Sequence, residues 1–356
     1  MAKPLSMTFL ILLALFCPSW IHPQSKTPEL VRIGYSGIGI AHDLLKIMGN
    51  NRIFEKHGLN AQSIYIGSGS LMNQAVVGGS IQFTTSDLPS QIQAALAGID
   101  FKIISVTINR LDGAIMTRKG ILKPNDLKGK KLAISRFGSV SDIVTRMVLR
   151  HWGLEPVKDV PLIQVGNTPS RIAAIFSGQV DGGLINPTDV DKVMTSGCCT
   201  VLADLSALDI PYARFGVAGL GSYVKANSET AQKVLAAFVE GIHYYKTHPE
   251  AGVAALQSRG ADPQAAREIY QKIADTYRSS PDPDLSGVRG VLESLPEERA
   301  KKVRPESLID PVPWERVAKS GLLEKLYGKK ESALRSRNND KSSCALLSKK
   351  ELKSCA

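Results

Sequence analysis

Apolar and polar residues alternate along this chain with two different periods, and each change of period marks a boundary. Leu30 to Gly34 reads as a buried strand, and the glycine-rich stretch from Tyr35 to Ile40 turns it into a helix over 41–48 that stops at Gly49-Asn50. A strand over 61–66 is followed by Gly67-Ser68-Gly69-Ser70 and a helix ending at Gly78-Gly79. A third strand, 81–84, passes through a turn at 85–87 into a helix ending at Gly98, and a fourth strand runs over 101–107. A second set begins after Gly120. It has strands at 132–135, 161–165 and 180–185, with helices from Gly138-Ser139 to Trp152 and over 170–177. Residues 208–224 run back, and 228–328 read as helical, with Val234, Leu235, Phe238, Val239 and Ile242 forming a one-sided stripe. Strands alternating with helices predict an α/β protein with no solenoid repeats.

The N-terminus has a different character. Lys3 precedes an apolar run from Met7 to Phe16 broken only by Thr8, and a polar stretch carrying prolines follows from Pro18 to Pro28. That is the pattern of a secretory signal peptide, expected over residues 1–25. The run is well short of the roughly 20 residues that span a bilayer. A periplasmic or other extracytoplasmic location is therefore expected. Cys17 is a candidate for lipid attachment, although Phe16 before it is bulky for that signal, and cleavage near Ser19 is the alternative. The five cysteines are Cys17, Cys198, Cys199, Cys344 and Cys355, with no framework spacing. Adjacent Cys198 and Cys199 are not expected to pair with each other, whereas Cys344 and Cys355 can bridge after export. The six histidines contain no HExxH, and His243 and His248 read as a helix surface. No metal and no cofactor are expected.

A net charge of +11 over 356 residues invites a nucleic-acid reading. Its distribution argues otherwise. Residues 329–356 hold eight Lys/Arg against three Asp/Glu, and they lack periodicity, as a disordered tail does. The rest of the excess is spread thinly, with no basic stripe interleaved with aromatics, so no nucleic-acid partner is expected.

Three turns are chemically alike: Gly67-Ser68-Gly69-Ser70, Thr84-Thr85-Ser86-Asp87 and Phe137-Gly138-Ser139-Val140-Ser141. In each a strand ends, small hydroxyl residues follow (with glycine in two of the three), and a helix begins. A helix start leaves N–H groups free and accepts an anion, and glycine lets the backbone come close. Ser70, Asp87 and Ser139 also suit plain helix capping. Recurrence at equivalent points of two sets favours a ligand site, because open α/β sheets bind ligands at the carboxyl ends of their strands. No GxGxxG, GxxxxGK[ST] or GxSxG motif occurs.

The order of several segments carries a resemblance. They are Tyr35-Ser36, Ile53 through Leu59, Gly67 through Ser70, Asp126 through Lys130, Gly138-Ser139, Arg171 through Ala174, Gly178 through Asp181, Asn186-Pro187 and His248 through Glu250. Over residues 29–328 the chain resembles the extracytoplasmic substrate-binding proteins of ABC transporters in the nitrate, sulfonate and taurine branch, which share a fold with thiamine-precursor synthases. The resemblance implies a two-lobed periplasmic-binding-protein type II fold with two crossing hinge strands and a helical C-terminal part. One lobe would hold 29–111 plus 217–328 and the other 112–216. Crossings would fall near Leu111–Thr117 and Phe215–Val224. The implied protein is a monomer and no enzyme. It captures a small anionic solute (sulfonate, nitrate or carboxylate) and delivers it to a permease in the membrane. Cleft residues carried over are Tyr35, Ser36, Gly37, Ser68, Gly69, Ser70, Thr85, Ser86, Ser139, Ser141 and Asn186, with Arg136 and Arg214 as possible added charge.

Two departures stand out. Gln82 replaces a frequent acidic residue, and Asp87-Leu88-Pro89 leaves open a cationic or amino-bearing ligand held by Asp87. Two alternative readings remain. One is a pyrimidine-precursor synthase on the same fold, whose cysteine-rich loop Cys198-Cys199 distantly resembles. The other is a periplasmic sensor presenting its ligand to a receptor.

Overall fold

A computed structural model describes residues 28–208, 211–295 and 297–328, so the expected signal peptide with Cys17 and the tail with Cys344 and Cys355 lie outside it. The strands β1 (Glu29–Tyr35), β2 (Leu59–Tyr65), β3 (Phe83–Asp87), β4 (Phe101–Arg110), β5 (Ala114–Arg118), β6 (Leu132–Ile134), β7 (Leu162–Gln164), β8 (Gly182–Ile185), β9 (Cys199–Asp204) and β10 (Pro211–Leu220) follow in chain order. They form two five-stranded sheets, ordered β2-β1-β3-β10-β4 and β7-β6-β8-β5-β9.

The two sheets share one plan. In each, the fourth strand in order runs antiparallel to its neighbours while the others are mutually parallel. Those two exceptions, β5 and β10, are the strands by which the chain enters one sheet on leaving the other. A chain that leaves the carboxyl end of β4 and at once joins a sheet antiparallel to its parallel strands must enter at their carboxyl ends. The connectivity therefore turns the carboxyl ends of both sets of parallel strands toward each other. This is the geometric origin of the site.

The expected elements recur with shifted ends. The turn expected at 85–87 is strand instead, because Thr84, Thr85, Ser86 and Asp87 pair with Ala218, Val217, Gly216 and Phe215 of β10. That partner lies far along the chain, and no local pattern announces it. β9 and the helix Pro187–Thr195 were not expected either. β9 is a short edge strand whose residues are mostly half-exposed, and its apolar run, Val201-Leu202-Ala203, is shorter than the roughly four to eight residues of a strand signal. The return passage is also earlier than expected, since β10 is paired with β4 from Pro211 rather than crossing near Phe215–Val224. Cys198 and Cys199 are joined by a disulfide, contrary to expectation. Both lie where the chain leaves the turn at Gly197, which has a φ of 68°, and enters β9. A bridge between neighbours closes almost no loop, so it constrains little of the unfolded chain.

The stripe on the helix Ser228–Thr247 proves to face two ways. Val234, Phe238 and Ile242 are fully buried against Ile33, Met48 and Phe54 under the first sheet. Leu235 and Val239 pack instead against Val317 and the half-buried Trp314 and Leu322. Each such buried side chain stabilises the fold by about 1.5–3 kcal/mol. No helix among the described residues is long and apolar enough to cross a membrane.

Candidate functional site

Six parallel strands deliver their carboxyl ends to one cavity. Ser36 and Gly37 follow β1, Gly67 and Ser68 follow β2, and Asp87 ends β3. From the second sheet come Ser135 after β6, Asn167 and Thr168 after β7, and Asn186 after β8. The cavity they leave measures about 50 Å³. Asp112, on the passage from β4 to β5, and Arg214 of β10 complete its wall.

Hydroxyls of the second sheet form a tight cluster there. Ser135 Oγ donates to Ser139 Oγ at 2.7 Å, and the backbone N–H of Ser135 donates to Ser141 Oγ at 2.8 Å. Ser139 Oγ also lies 2.6 Å from the carbonyl of Arg136, so it turns inward to the loop instead of capping the helix Val140–His151. Across the cavity, Ser68 does cap its helix, accepting from the N–H of Leu71 at 3.3 Å. The cap of that turn is Ser68 and not the expected Ser70, and capping and cavity lining coincide at Ser68.

The charges are the least expected part. Arg214, 3% exposed, donates Nε to Asp112 at 2.8 Å and Nη1 to Asp87, and its guanidinium lies 4.2 Å over the Phe215 ring. Asp87 accepts from Ser36 Oγ through its other oxygen at 2.8 Å. Burial raises the Asp112 carboxyl above its ordinary value, while Arg214 opposes the rise. The same carboxylates push the Arg214 guanidinium above its ordinary value despite burial. Arg171 is 4% exposed, and its donors go to the carbonyls of Gly166 and Leu184 and to Thr168 Oγ1, at 2.9–3.1 Å. No carboxylate among the described residues lies within ion-pair distance of it. Burial holds its pKa down to about 10, so it stays charged at neutral pH.

Contacts between the two sheets' loops surround the cavity. Asn167 Nδ2 donates to Tyr65 Oη at 3.0 Å. A Cβ added at Gly39 would stand 3.2 Å from Thr188 Oγ1, so the β1 turn approaches the helix after β8 closely. Leu88 and Ile92 of the first half share one apolar cluster with Val140, Ile143 and Val144 of the second. Beside the passage from β4 to β5 a larger cavity of about 390 Å³ runs between Asp112, Val190, Asp204 and Ile273, sharing Ile40, Asp112 and Pro187 with the first.

Of the residues expected from sequence, Ser36, Gly37, Ser68, Gly69, Ser141 and Asn186 line the cavity. Tyr35, Ser70, Thr85 and Ser139 do not. Tyr35 packs between His42 and Tyr65, at 5.6 Å from each ring. Ser70 faces an outer groove, Thr85 is buried within β3, and Ser139 sits behind Ser141. Ser86 contributes backbone to β3, and its side chain lies outside the described residues. Arg136 is exposed and does not line the cavity, whereas Arg214 does.

Comparison with known proteins places this geometry in context. A family model described as NMT1/THI5 like matches residues 53–252, more than half of the chain. The chain belongs to the NMT1/THI5-like family. Curated relatives of similar sequence include binding proteins of Brucella abortus and Brucella suis, assigned as such provisionally, 28% identical over 152 residues. The match covers 42% of this chain and 46% of theirs, so the chain spans about half the length of those relatives. The NMT1/THI5-like chain also shares its fold with solved structures. One, from Bordetella bronchiseptica, is 22% identical with a TM-score of 0.71 over 83% of this chain and 98% of that one. The periplasmic aliphatic sulphonate binding protein of Escherichia coli is 22% identical, TM-score 0.60, over 80% and 92%. The periplasmic nitrate-binding protein of Synechocystis is 14% identical, TM-score 0.67, over 85% and 90%. The α/β architecture of this NMT1/THI5-like chain is thus the periplasmic-binding-protein fold.

Proposed function

We propose that the chain is an extracytoplasmic solute-binding protein that captures a small solute bearing an acidic group and delivers it to an ABC transporter permease. The observation that carries this reading is the cavity itself. Strand ends from two sheets surround it, hydroxyl and amide donors line it, and Arg171 supplies a buried positive charge with no acidic partner in ion-pair reach. Relatives named as binding proteins and a shared fold with sulphonate- and nitrate-binding proteins agree with it. The two sheets with their helices would act as lobes, hinged at 111–113 and ahead of Pro211, closing on the solute and presenting the closed form to the permease. The chain would work as a monomer without metal or cofactor, after export by its N-terminal segment.

The synthase reading has less support, since the paired Cys198 and Cys199 stand at the entry to β9 and do not line the cavity. A thermal-shift screen of residues 26–356 tests the proposal, because a ligand that binds only the folded state raises the melting temperature by mass action. Sulfonates, nitrate, bicarbonate, carboxylates and pyrimidines form the panel. A saturable rise with small acids is expected. A rise with pyrimidines alone would move the weight to the synthase reading.

Closure has a test of its own. Tyr65→Phe removes the acceptor of Asn167 Nδ2, a contact available only when the two halves meet. One net hydrogen bond is worth about 0.5–1.5 kcal/mol. Affinity for the solute found in the screen should fall several-fold in calorimetry, with the melting temperature of the unliganded protein little changed. An unchanged affinity would exclude this bond from closure.

A further inference from the structure

The end of the second sheet that points away from the cavity has a chemistry of its own. β6, β7 and β8 bring their carboxyl ends to the cavity, so the segments that enter them, 129–131, 156–161 and 178–181, gather at the opposite pole. β5 runs antiparallel to β8, so the chain leaving it at Arg118 arrives at the same pole. The N–H of Gly129 donates to the carbonyl of Asp159 and that of Arg118 to the carbonyl of Asp181, each at 2.8 Å. Beneath these tied segments Ile121, Leu127, Leu154 and Val160 share one buried apolar cluster.

Two apolar side chains of the pole stay outside that cluster. Leu122 is 75% exposed, more than any other large apolar side chain among the described residues, and Val157 is 53% exposed. Val157 also holds a φ of 75°, a left-handed conformation that a β-branched residue rarely adopts. A valine kept where glycine would sit more easily points to a use for its side chain. Around these two tips Lys119, Lys123, Lys128, Lys130, Lys131 and Lys158 are all exposed. None of the six joins an ion pair among the described residues, unlike Lys56, Lys233 and Lys301. The nearby acids turn to backbone instead. Asp126 accepts from the N–H groups of Leu122 and Lys123, Asp159 from that of Glu155, and Asp181 from that of Lys131, at 2.8–3.2 Å.

We propose that this pole docks on an anionic bilayer, with Leu122 and Val157 entering the headgroup boundary and the lysines meeting lipid phosphates. Apolar side chains set among lysines are the chemistry of a surface that lies in a membrane interface. Lysine stems add to it, since they cover apolar surface while their ammonium heads stay with the phosphates. An acidic protein would match the lysines alone. A bilayer presents anionic groups above an apolar interior, and so matches the lysines and the two tips together. The docking surface is separate from the cavity and independent of which solute the cavity takes.

Co-sedimentation with vesicles tests the proposal on residues 26–356, the chain expected after export. One set of vesicles is phosphatidylcholine alone, and the other is phosphatidylcholine mixed with phosphatidylglycerol. The chain should bind the mixed vesicles about tenfold or more over the neutral ones, and less tightly as salt rises. A basic residue at an anionic surface is worth roughly fivefold in binding, so reversing three lysines together (Lys123→Glu, Lys128→Glu, Lys130→Glu) should cost at least about tenfold. Leu122→Ser combined with Val157→Gly should lose several-fold, and Leu122→Trp should add fluorescence that moves to shorter wavelength on the mixed vesicles. All these positions are exposed, so the variants should keep the wild-type melting temperature, which separates a lost contact from a misfolded chain. Equal binding to both kinds of vesicle would overturn the proposal. Unchanged binding by the lysine variant would overturn it too, by assigning the affinity to the basic residues after 328. Binding that needs the lysines but ignores Leu122 and Val157 would overturn the bilayer as occupant and favour an acidic protein.

Discussion

Replacing Arg214 with Met is expected to destabilise the protein by about 3–5 kcal/mol at neutral pH, the usual consequence of removing one partner from a buried charge cluster. The substitution keeps the apolar stem of the side chain and removes the guanidinium that lies over Phe215. What remains is a pair of buried carboxylates, Asp87 and Asp112, with no cation between them. The pH dependence separates this account from a packing defect. Burial already raises the Asp112 carboxyl in the folded state, and Arg214 is the group that opposes the rise. Without Arg214 it should climb further. An acid whose folded value lies above its unfolded value contributes stability that is present at low pH and lost as pH rises through the folded value. The deficit of Arg214→Met should therefore shrink between pH 8 and pH 5 in denaturant titrations of both proteins. A deficit that stays constant across that range would assign the loss to shape rather than charge.

This cluster also shows where the sequence stops being informative. The strand ends were legible, since Ser36, Gly37, Ser68, Gly69, Ser141 and Asn186 each follow an apolar run with small residues that suit a helix start. Arg214 was legible only as a possible added charge, on a par with Arg136, and not as the centre of a cluster. Its partners stand 102 and 127 residues away, a distance no periodicity spans. Arg171 figured only within a segment that carries the family resemblance, and it is buried because its guanidinium turns back onto the carbonyls of Gly166 and Leu184. Asp87 misled in an instructive way. As a carboxylate at a helix start it advertised a ligand, but β10 brings Arg214 to it from outside the local pattern. Thr85 failed for the same reason, its turn being absorbed into a strand by a distant partner. The chain fixes which loops face the cavity through local pattern, and the cavity's charge through pairings made between sheets.

The passage from β4 to β5 carries the second large effect. Gly113 has a φ of 81°, and a Cβ there would stand 2.5 Å from the carbonyl oxygen of Ile185. Gly113→Ala should thus carry two penalties, about 1–2 kcal/mol for a left-handed conformation and about 1–3 kcal/mol for forcing backbone aside. Gly120→Ala isolates the first, because Gly120 has a φ of 95° with nothing within 4 Å of the added carbon. The difference between the two variants reads the close approach alone. It bears on function because Ile185 ends β8 directly before Asn186, and the Gly113 carbonyl accepts from the N–H of Leu205 at 2.9 Å. Relief of the clash must move the end of β8, the passage, or both. Gly113→Ala should accordingly lose solute affinity beyond its loss of stability, whereas Gly120→Ala should bind normally once folded. Equal stability losses and intact affinity in both variants would mean that the passage yields without disturbing Asn186, and would count against its proposed part in closure.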